Sequence, residues 1–213
     1  MKPVPARWAF LGLLLLTRAT PCPADDNTLT NGELQQRLQR LEQRVDALEQ
    51  LVAPMKAQQT AAAHRRQQQQ KAAARREADR QRYSPEELQT IEQLYASADG
   101  NWDALHAAEV LERLRKEFPK ANRTGCAMLA FAAASEGKAA IALLQAAMKD
   151  YADCYFDDGV QVGAYACYLL VRHHRAHGRE ETAAKLASIL ETRYPDAIDH
   201  EGRSLHARLQ AAD

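Results

Sequence analysis

The sequence predicts an all-α chain: an N-terminal parallel coiled coil, a helix-prone linker and a C-terminal helical-repeat solenoid. Three observations predict it. Apolar residues from Leu34 to Val52 recur at spacings of 4, 3, 4, 3 and 4. Helical breaks recur in the C-terminal part at Phe118-Pro119, Tyr151-Ala152 and Tyr194-Pro195. No window alternates apolar and polar residues as a half-buried strand does.

Residues 1–24 read as a secretory signal. Lys2 and Arg7 precede an apolar run of nine residues from Trp8 to Leu16. That run is shorter than the roughly 20 residues a membrane-spanning helix needs, and it fits the apolar core of a signal peptide. Cleavage is expected after Ala24, with Ala19 as the alternative. Cys22 follows Pro21, which makes a poor lipidation site. Export leaves no transmembrane span in the mature chain.

Residues 25–55 carry the coiled coil. Leu38, Val45 and Val52 take a positions; Leu34, Leu41 and Leu48 take d. Thr30 or Asn31 can cap the start, and Pro54 ends the regular pattern. Arg37 and Arg44 fall at g, and Glu42 and Glu49 at the following e. In a parallel pair each arginine meets the glutamate of its neighbour. The segment is therefore complementary to a copy of itself, and a homo-oligomer, dimer or trimer, is expected.

Residues 56–82 form a basic Gln/Ala-rich linker with eight Lys/Arg and two Asp/Glu. Bulky apolar residues, Gly and Pro are absent, so it is either a solvated helix or a helix-prone spacer. Arg65, Arg66, Lys71, Arg75, Arg76, Arg80 and Arg82 make it a candidate arm for anionic lipid or cell-wall polymer. No aromatic residue interleaves the charges, which argues against nucleic acid. Residues 83–213 carry fourteen Lys/Arg against twenty Asp/Glu, so the net charge of zero hides a bipolar molecule.

The domain from residue 83 opens on Ser84-Pro85-Glu86-Glu87, a helix start with an N-cap serine, Pro at N1 and Glu at N3. Further breaks fall at Asp99-Gly100, Gly137 and Gly178, so six or seven short helices are expected. Phe118, Tyr151 and Tyr194 each close the second helix of a pair, 33 and 43 residues apart. Setting Pro119, Ala152 and Pro195 at a closing-proline position places Ala107, Ala140 and Ala183 where two helices cross. In this respect the domain resembles the tetratricopeptide repeats, without their first-helix Trp-Leu-Gly-Tyr pattern. The order of parts resembles the periplasmic cell division coordinator CpoB family. That resemblance implies a periplasmic oligomer associated with the Tol–Pal system and cell-wall synthesis. In tetratricopeptide proteins first helices line a peptide-binding groove; here they would offer Asn122, Tyr165, Tyr168, Arg172 and Arg175 to a protein or peptide partner.

Chemistry is sparse. Cys126, Cys154 and Cys167 remain after cleavage at Ala24; two of them can pair in an oxidising compartment, with the pairing open, or all three are buried thiols. There is no CxxC, HExxH, GxSxG, P-loop or GxGxxG. His173 and His177 share a helix face, but no third metal ligand is evident. The expectation is a chain without cofactor, metal or catalytic residues: a scaffold or adaptor, with a structural envelope tether as the alternative.

Overall fold

The computed structural model describes residues 31–98, 100–103 and 105–211. The expected signal segment, Cys22, Thr30 and Asp99 lie outside them. The fold is all-helical among these residues, with isolated bridges and no strand. The helices are α1 (Asn31–Arg82), α2 (Pro85–Ala98), α3 (Leu105–Glu117), α4 (Asn122–Ala134), α5 (Gly137–Asp150), α6 (Val162–Ala176), α7 (Glu180–Arg193) and α8 (Leu205–Gln210). The chain divides into two compact units, one ending at Glu49 and one starting at Gln50. No helix among the described residues is long and apolar enough to cross a membrane.

In the first unit, Leu34, Leu38, Leu41, Val45 and Leu48 lie on helix and are 44–59% exposed. The heptad positions are helical and bare.

In the second unit, α1 runs through Pro54. The sequence places the end of the regular pattern there, and the helix does not stop. Pro54 forfeits one hydrogen bond, to the carbonyl of Gln50, at a cost of about 3 kcal/mol. Long runs of Ala, Gln, Glu and Arg on both sides favour continuation. Residues 56–82 are helical throughout.

After α1 the chain turns at Tyr83-Ser84. Ser84 N donates to Glu87 Oε2 (2.8 Å) and Glu87 N donates to Ser84 Oγ (3.2 Å), a reciprocal capping box. The following helices pack in sequence order. Each of α2 to α8 touches its neighbour along the chain; α2, α4, α6 and α8 also pack successively on one another. One core cluster joins α2 to α6, built on Leu114, Met128, Leu129 and Leu170; a second joins α6 to α8, built on Val171, Leu190 and Leu205. Ala107, Ala127, Ala147, Ala166 and Ala183 are almost wholly buried, so many of the crossings are made by small side chains. Gly163 allows a close approach to the α5–α6 connection: a Cβ there would lie 2.7 Å from Ala152 Cα.

The 43-residue interval is a repeat with a definite structure. α5 and α7 begin at Gly137 and Glu180, and α6 and α8 begin at Val162 and Leu205. Between them lie two hairpin-like connections of the same design. In the first, Phe156 N donates to Val160 O (2.9 Å), Gly159 N to Phe156 O (3.0 Å) and Val162 N to Cys154 O (2.9 Å). In the second, Asp199 N donates to Arg203 O (2.9 Å), Gly202 N to Asp199 O (2.8 Å) and Leu205 N to Ala197 O (3.0 Å). Every partner is displaced by 43 residues, as are the bridges Tyr155–Gln161 and Ile198–Ser204. Both copies read Tyr-x-Asp-x5-Gly: Tyr151, Asp153, Gly159 and Tyr194, Asp196, Gly202. The α3–α4 connection is only Phe118 to Ala121, which accounts for its shorter interval.

Candidate functional site

The segment of α1 read as a linker is seated on the helical domain. Gln68, Ala72 and Asp79 are buried, and the side chain of Arg75 is 10% exposed. Their spacing of 4, 3 and 4 places them on one face of the helix. What they meet is mostly connections, and all three inter-pair connections take part. Gln68 Nε2 donates to Asp196 O (3.0 Å), and Arg65 donates to Glu201 O, both between α7 and α8. Arg76 Nη1 donates to Asp157 Oδ1 (2.9 Å), between α5 and α6. Arg75 Nη2 donates to Lys120 O (2.6 Å), between α3 and α4. Asp79 Oδ2 accepts from Asn122 N (2.7 Å) at the start of α4, while Oδ1 pairs with Arg75. From Gln68 to Asp79 is about 16 Å along a helix, close to two helix-packing distances. α1 therefore straps successive helix pairs together.

The strap needs a close approach at Gly159. Its φ of +95° and the hairpin turn put its Cα against α1, where a Cβ would lie 3.1 Å from Gln68 Cβ and Gln69 N. Two buried polar atoms on the strap, Gln68 Oε1 and Arg75 Nε, lack a hydrogen-bond partner.

This seating uses most of the basic residues expected to form an anion-binding arm. Arg65, Arg75, Arg76 and Arg82 contact the domain, and Arg80 pairs with Glu77 on α1 itself. Arg66 and Lys71 have no partner among the described residues.

The residues expected to line a groove divide. Asn122 is buried, and its amide clamps the main chain of Tyr155: Nδ2 donates to Tyr155 O and Oδ1 accepts from Tyr155 N, both at 2.7 Å. It is an internal hydrogen-bonding plug, with no donor left facing outward. Tyr165, Tyr168 and Arg172 come together on α6. The tyrosine rings are 5.7 Å apart, and the Arg172 guanidinium lies 5.8 Å from the Tyr168 ring centre. Arg175 donates from Nη1 to Leu209 O (3.1 Å) near the end of α8.

Sequence reasoning missed the residues that complete this patch. Arg203, Ser204, Ala207 and Arg208 join Tyr168 and Arg172 around a concavity of about 460 Å³ between α6 and α8. The Arg208 guanidinium lies 5.4 Å from the Tyr168 ring centre. Asp199, 2% exposed, organises them: Oδ2 accepts from Arg203 Nε (2.9 Å) and Arg208 Nη1 (2.8 Å), and Oδ1 accepts from the backbone N–H of Glu201 and Arg203. Burial raises its pKa, but the bonds and charges from Arg203, with the Arg208 charge, outweigh this and hold it below the ordinary carboxylate value. Only the Arg-x-x-x-x-Arg spacing of Arg203 and Arg208 could have hinted at a basic helix end.

A second polar patch lies beside it. Asp158 pairs with His200 at 2.7 Å, joining the two hairpins, and His200 is edge-on to Tyr165 and Phe156. Arg123 bridges Glu92 (2.9 Å) and Asp157 (2.8 Å) and covers the Tyr95 ring at 4.7 Å.

Cys126, Cys154 and Cys167 are buried free thiols. Burial pushes the Cys154 thiol up to about 12 and Cys167 up to about 11. At neutral pH both are protonated, weak nucleophiles. His173 and His177 stack at 4.2 Å, but Arg179 reaches His173 Nε2 at 3.2 Å. Among the described residues no group of three or more His, Cys, Asp or Glu is arranged to hold a metal ion.

Comparison with protein-family models, with curated proteins and with solved structures returns no match for this chain.

Proposed function

We propose that the chain is an exported, non-catalytic scaffold of the cell envelope. It assembles through the heptad seam of α1 and offers a tetratricopeptide-like helical array to protein or peptide partners. The observation that carries this reading is the bare seam: five large aliphatic residues at heptad spacing, all on one helix and all exposed. Burying half-exposed Leu and Val side chains against a partner yields about 1 kcal/mol each. Arg37 with Glu42 and Arg44 with Glu49 select a second copy in parallel as that partner. Helix pairs that pack in sequence order, and a 43-residue structural repeat, support the array. Export to the periplasm and a link to Tol–Pal and cell division rest on the signal-like leader and the order of parts.

The alternative is a tether held to anionic lipid or cell-wall polymer by the basic segment. It is less well supported, because most of that segment's charges are already engaged within the domain.

Sedimentation equilibrium of residues 25–213 tests the assembly. A dimer or trimer is expected, with Leu41→Asp/Val45→Asp returning it to a monomer of unchanged helicity. A wild-type monomer at high concentration, or a double variant that still assembles, sinks the seam argument.

A further inference from the structure

We propose that Cys126 and Cys154 close into a disulfide that fastens the α5–α6 connection to α4, and that Cys167 stays a thiol. This rests on the export reading above for its oxidising compartment.

Placement selects the pair. Cys126 and Cys154 both belong to the core cluster that joins α2 to α6, at 0% and 2% exposure. Asn122 and Cys126 lie four residues apart on one face of α4. Asn122 grips the main chain of Tyr155, the residue after Cys154, through both amide atoms at 2.7 Å. Cys126 Sγ donates to Tyr155 O at 3.3 Å. On its own side, Cys154 lies against Gly125: a Cβ there would stand 2.6 Å from Cys154 Sγ and 2.7 Å from Cys154 Cβ. The chain neighbour of each cysteine therefore touches the other cysteine. Disulfides span Cα separations up to about 7 Å, and this mutual contact is the approach they require. Burial, and next the adjacent Cys154, raise the Cys126 pKa, as two thiols in proximity do. Cys167 stands in the second cluster, where its Sγ donates to Leu186 O on α7 at 3.3 Å.

The surroundings tolerate the bond. Closure removes the S–H that Cys126 gives to Tyr155 O, and that carbonyl keeps its bond from Asn122 Nδ2. Cys154 lines a concavity of about 250 Å³ in which Arg75, Arg82 and Lys120 outnumber Asp150 and Asp153. An anionic disulfide such as oxidised glutathione suits that balance. The Cys154 thiolate attacks one sulfur of the oxidant; the oxidant's S–S bond breaks, and the departing thiolate takes up the proton that Cys154 lost. The Cys126 thiolate then attacks Cys154 Sγ in the mixed disulfide and releases the second thiol. Two protein thiols are oxidised to one disulfide, and one oxidant disulfide is reduced to two thiols. Burial pushes the Cys154 thiol up to about 12 in the folded chain, so exchange is slow there and faster while the chain folds.

The test refolds reduced residues 25–213 from urea into a mildly alkaline buffer of reduced and oxidised glutathione. Remaining thiols are alkylated with iodoacetamide, and the chain is digested and mapped by mass spectrometry. A peptide linking Cys126 to Cys154 is expected, with Cys167 alkylated, and Cys167→Ala should leave that map unchanged. The two cysteines are 28 residues apart, and closing such a loop should raise Tm by roughly 5–15 °C over the same chain in dithiothreitol. Cys154→Ala should lose that difference while keeping its circular dichroism spectrum. Alkylation of all three thiols, or a link through Cys167, would overturn the pairing; a link that leaves Tm unchanged or lowers it would overturn the fastening. A failed pairing leaves assembly through the heptad seam untouched. A chain that closes in the glutathione buffer but is alkylated at all three thiols when taken from cells contradicts export and leaves the pairing standing.

Discussion

Replacing Asp79 with alanine withdraws a carboxylate from two donors at once. Asp79 is 6% exposed; it accepts from Asn122 N at 2.7 Å and pairs with Arg75, whose side chain is 10% exposed. The substitution leaves a buried N–H at the start of α4 and an uncompensated guanidinium under the strap. Breaking a buried ion pair by deleting one partner costs about 3–5 kcal/mol. Arg75 keeps its bond to Lys120 O and lies 3.9 Å from Asp153, so the lower end, about 3 kcal/mol, applies. For a unit of this size that lowers Tm by roughly 6–12 °C. Urea denaturation of residues 25–213 followed by circular dichroism measures it. If α1 detaches before the domain unfolds, the global loss is capped, and amide hydrogen exchange at Asn122 and along residues 65–79 accelerates instead. Asp79→Asn keeps an acceptor for Asn122 but no charge for Arg75, and should fall between. A loss below about 1 kcal/mol with unchanged exchange at Asn122 would refute the reasoning, because that is the range of a surface pair.

Two further outcomes test the hairpins. Gly159→Ala places a Cβ at 3.1 Å from two atoms of α1 and at a φ of +95°; the destabilisation should reach about 1–3 kcal/mol, whereas Gly32→Ala, on helix α1 with nothing within 4 Å, should be neutral to slightly stabilising. Equal effects in urea melts would show that α1 does not press on the turn. His200 is held above its ordinary 6.5 mainly by its hydrogen bond to Asp158, against the opposing effect of burial. A raised folded pKa stabilises fully below the unfolded value and fades as pH rises through the folded one. Asp158 is lowered despite its burial by the same bond, so the pair's contribution also disappears in strong acid. His200→Gln should therefore cost more stability near pH 5.5 than near pH 8.5, by less than about 1 kcal/mol since the side chains are partly exposed. A larger cost at the higher pH would contradict this sign.

Much of the helical plan was readable because it is written in large residues and helix breakers. Ser84-Pro85-Glu86-Glu87 forms the capping box its sequence describes, and Phe118, Tyr151 and Tyr194 stand directly after α3, α5 and α7. The strap was not readable, for a physical reason. Its buried face is Gln68, Ala72, Arg75 and Asp79, which keeps helical spacing but has no hydropathy contrast with the exposed face. Hydrophobic periodicity is blind to an interface made of hydrogen bonds and small side chains. The repeat of Tyr-x-Asp-x5-Gly at 43 residues was present in the sequence and is the signal that would have found the paired hairpins. Asn122 illustrates the opposite failure. A polar residue on a first helix reads as groove lining, yet here both amide atoms are consumed by Tyr155. Arg203 and Arg208 escaped notice because nothing local tells that Asp199 gathers them against Tyr168.

The basic segment is a structural strap of the helical domain and not a free arm. Amide hydrogen exchange of residues 25–213, resolved along 61–79, tests it most directly. Protection of Gln68, Ala72, Arg75 and Asp79 comparable to that of α4 and α6 is expected, lost together in Asp79→Ala. Exchange at the rate of an isolated, undocked helix, unaffected by that substitution, would contradict it.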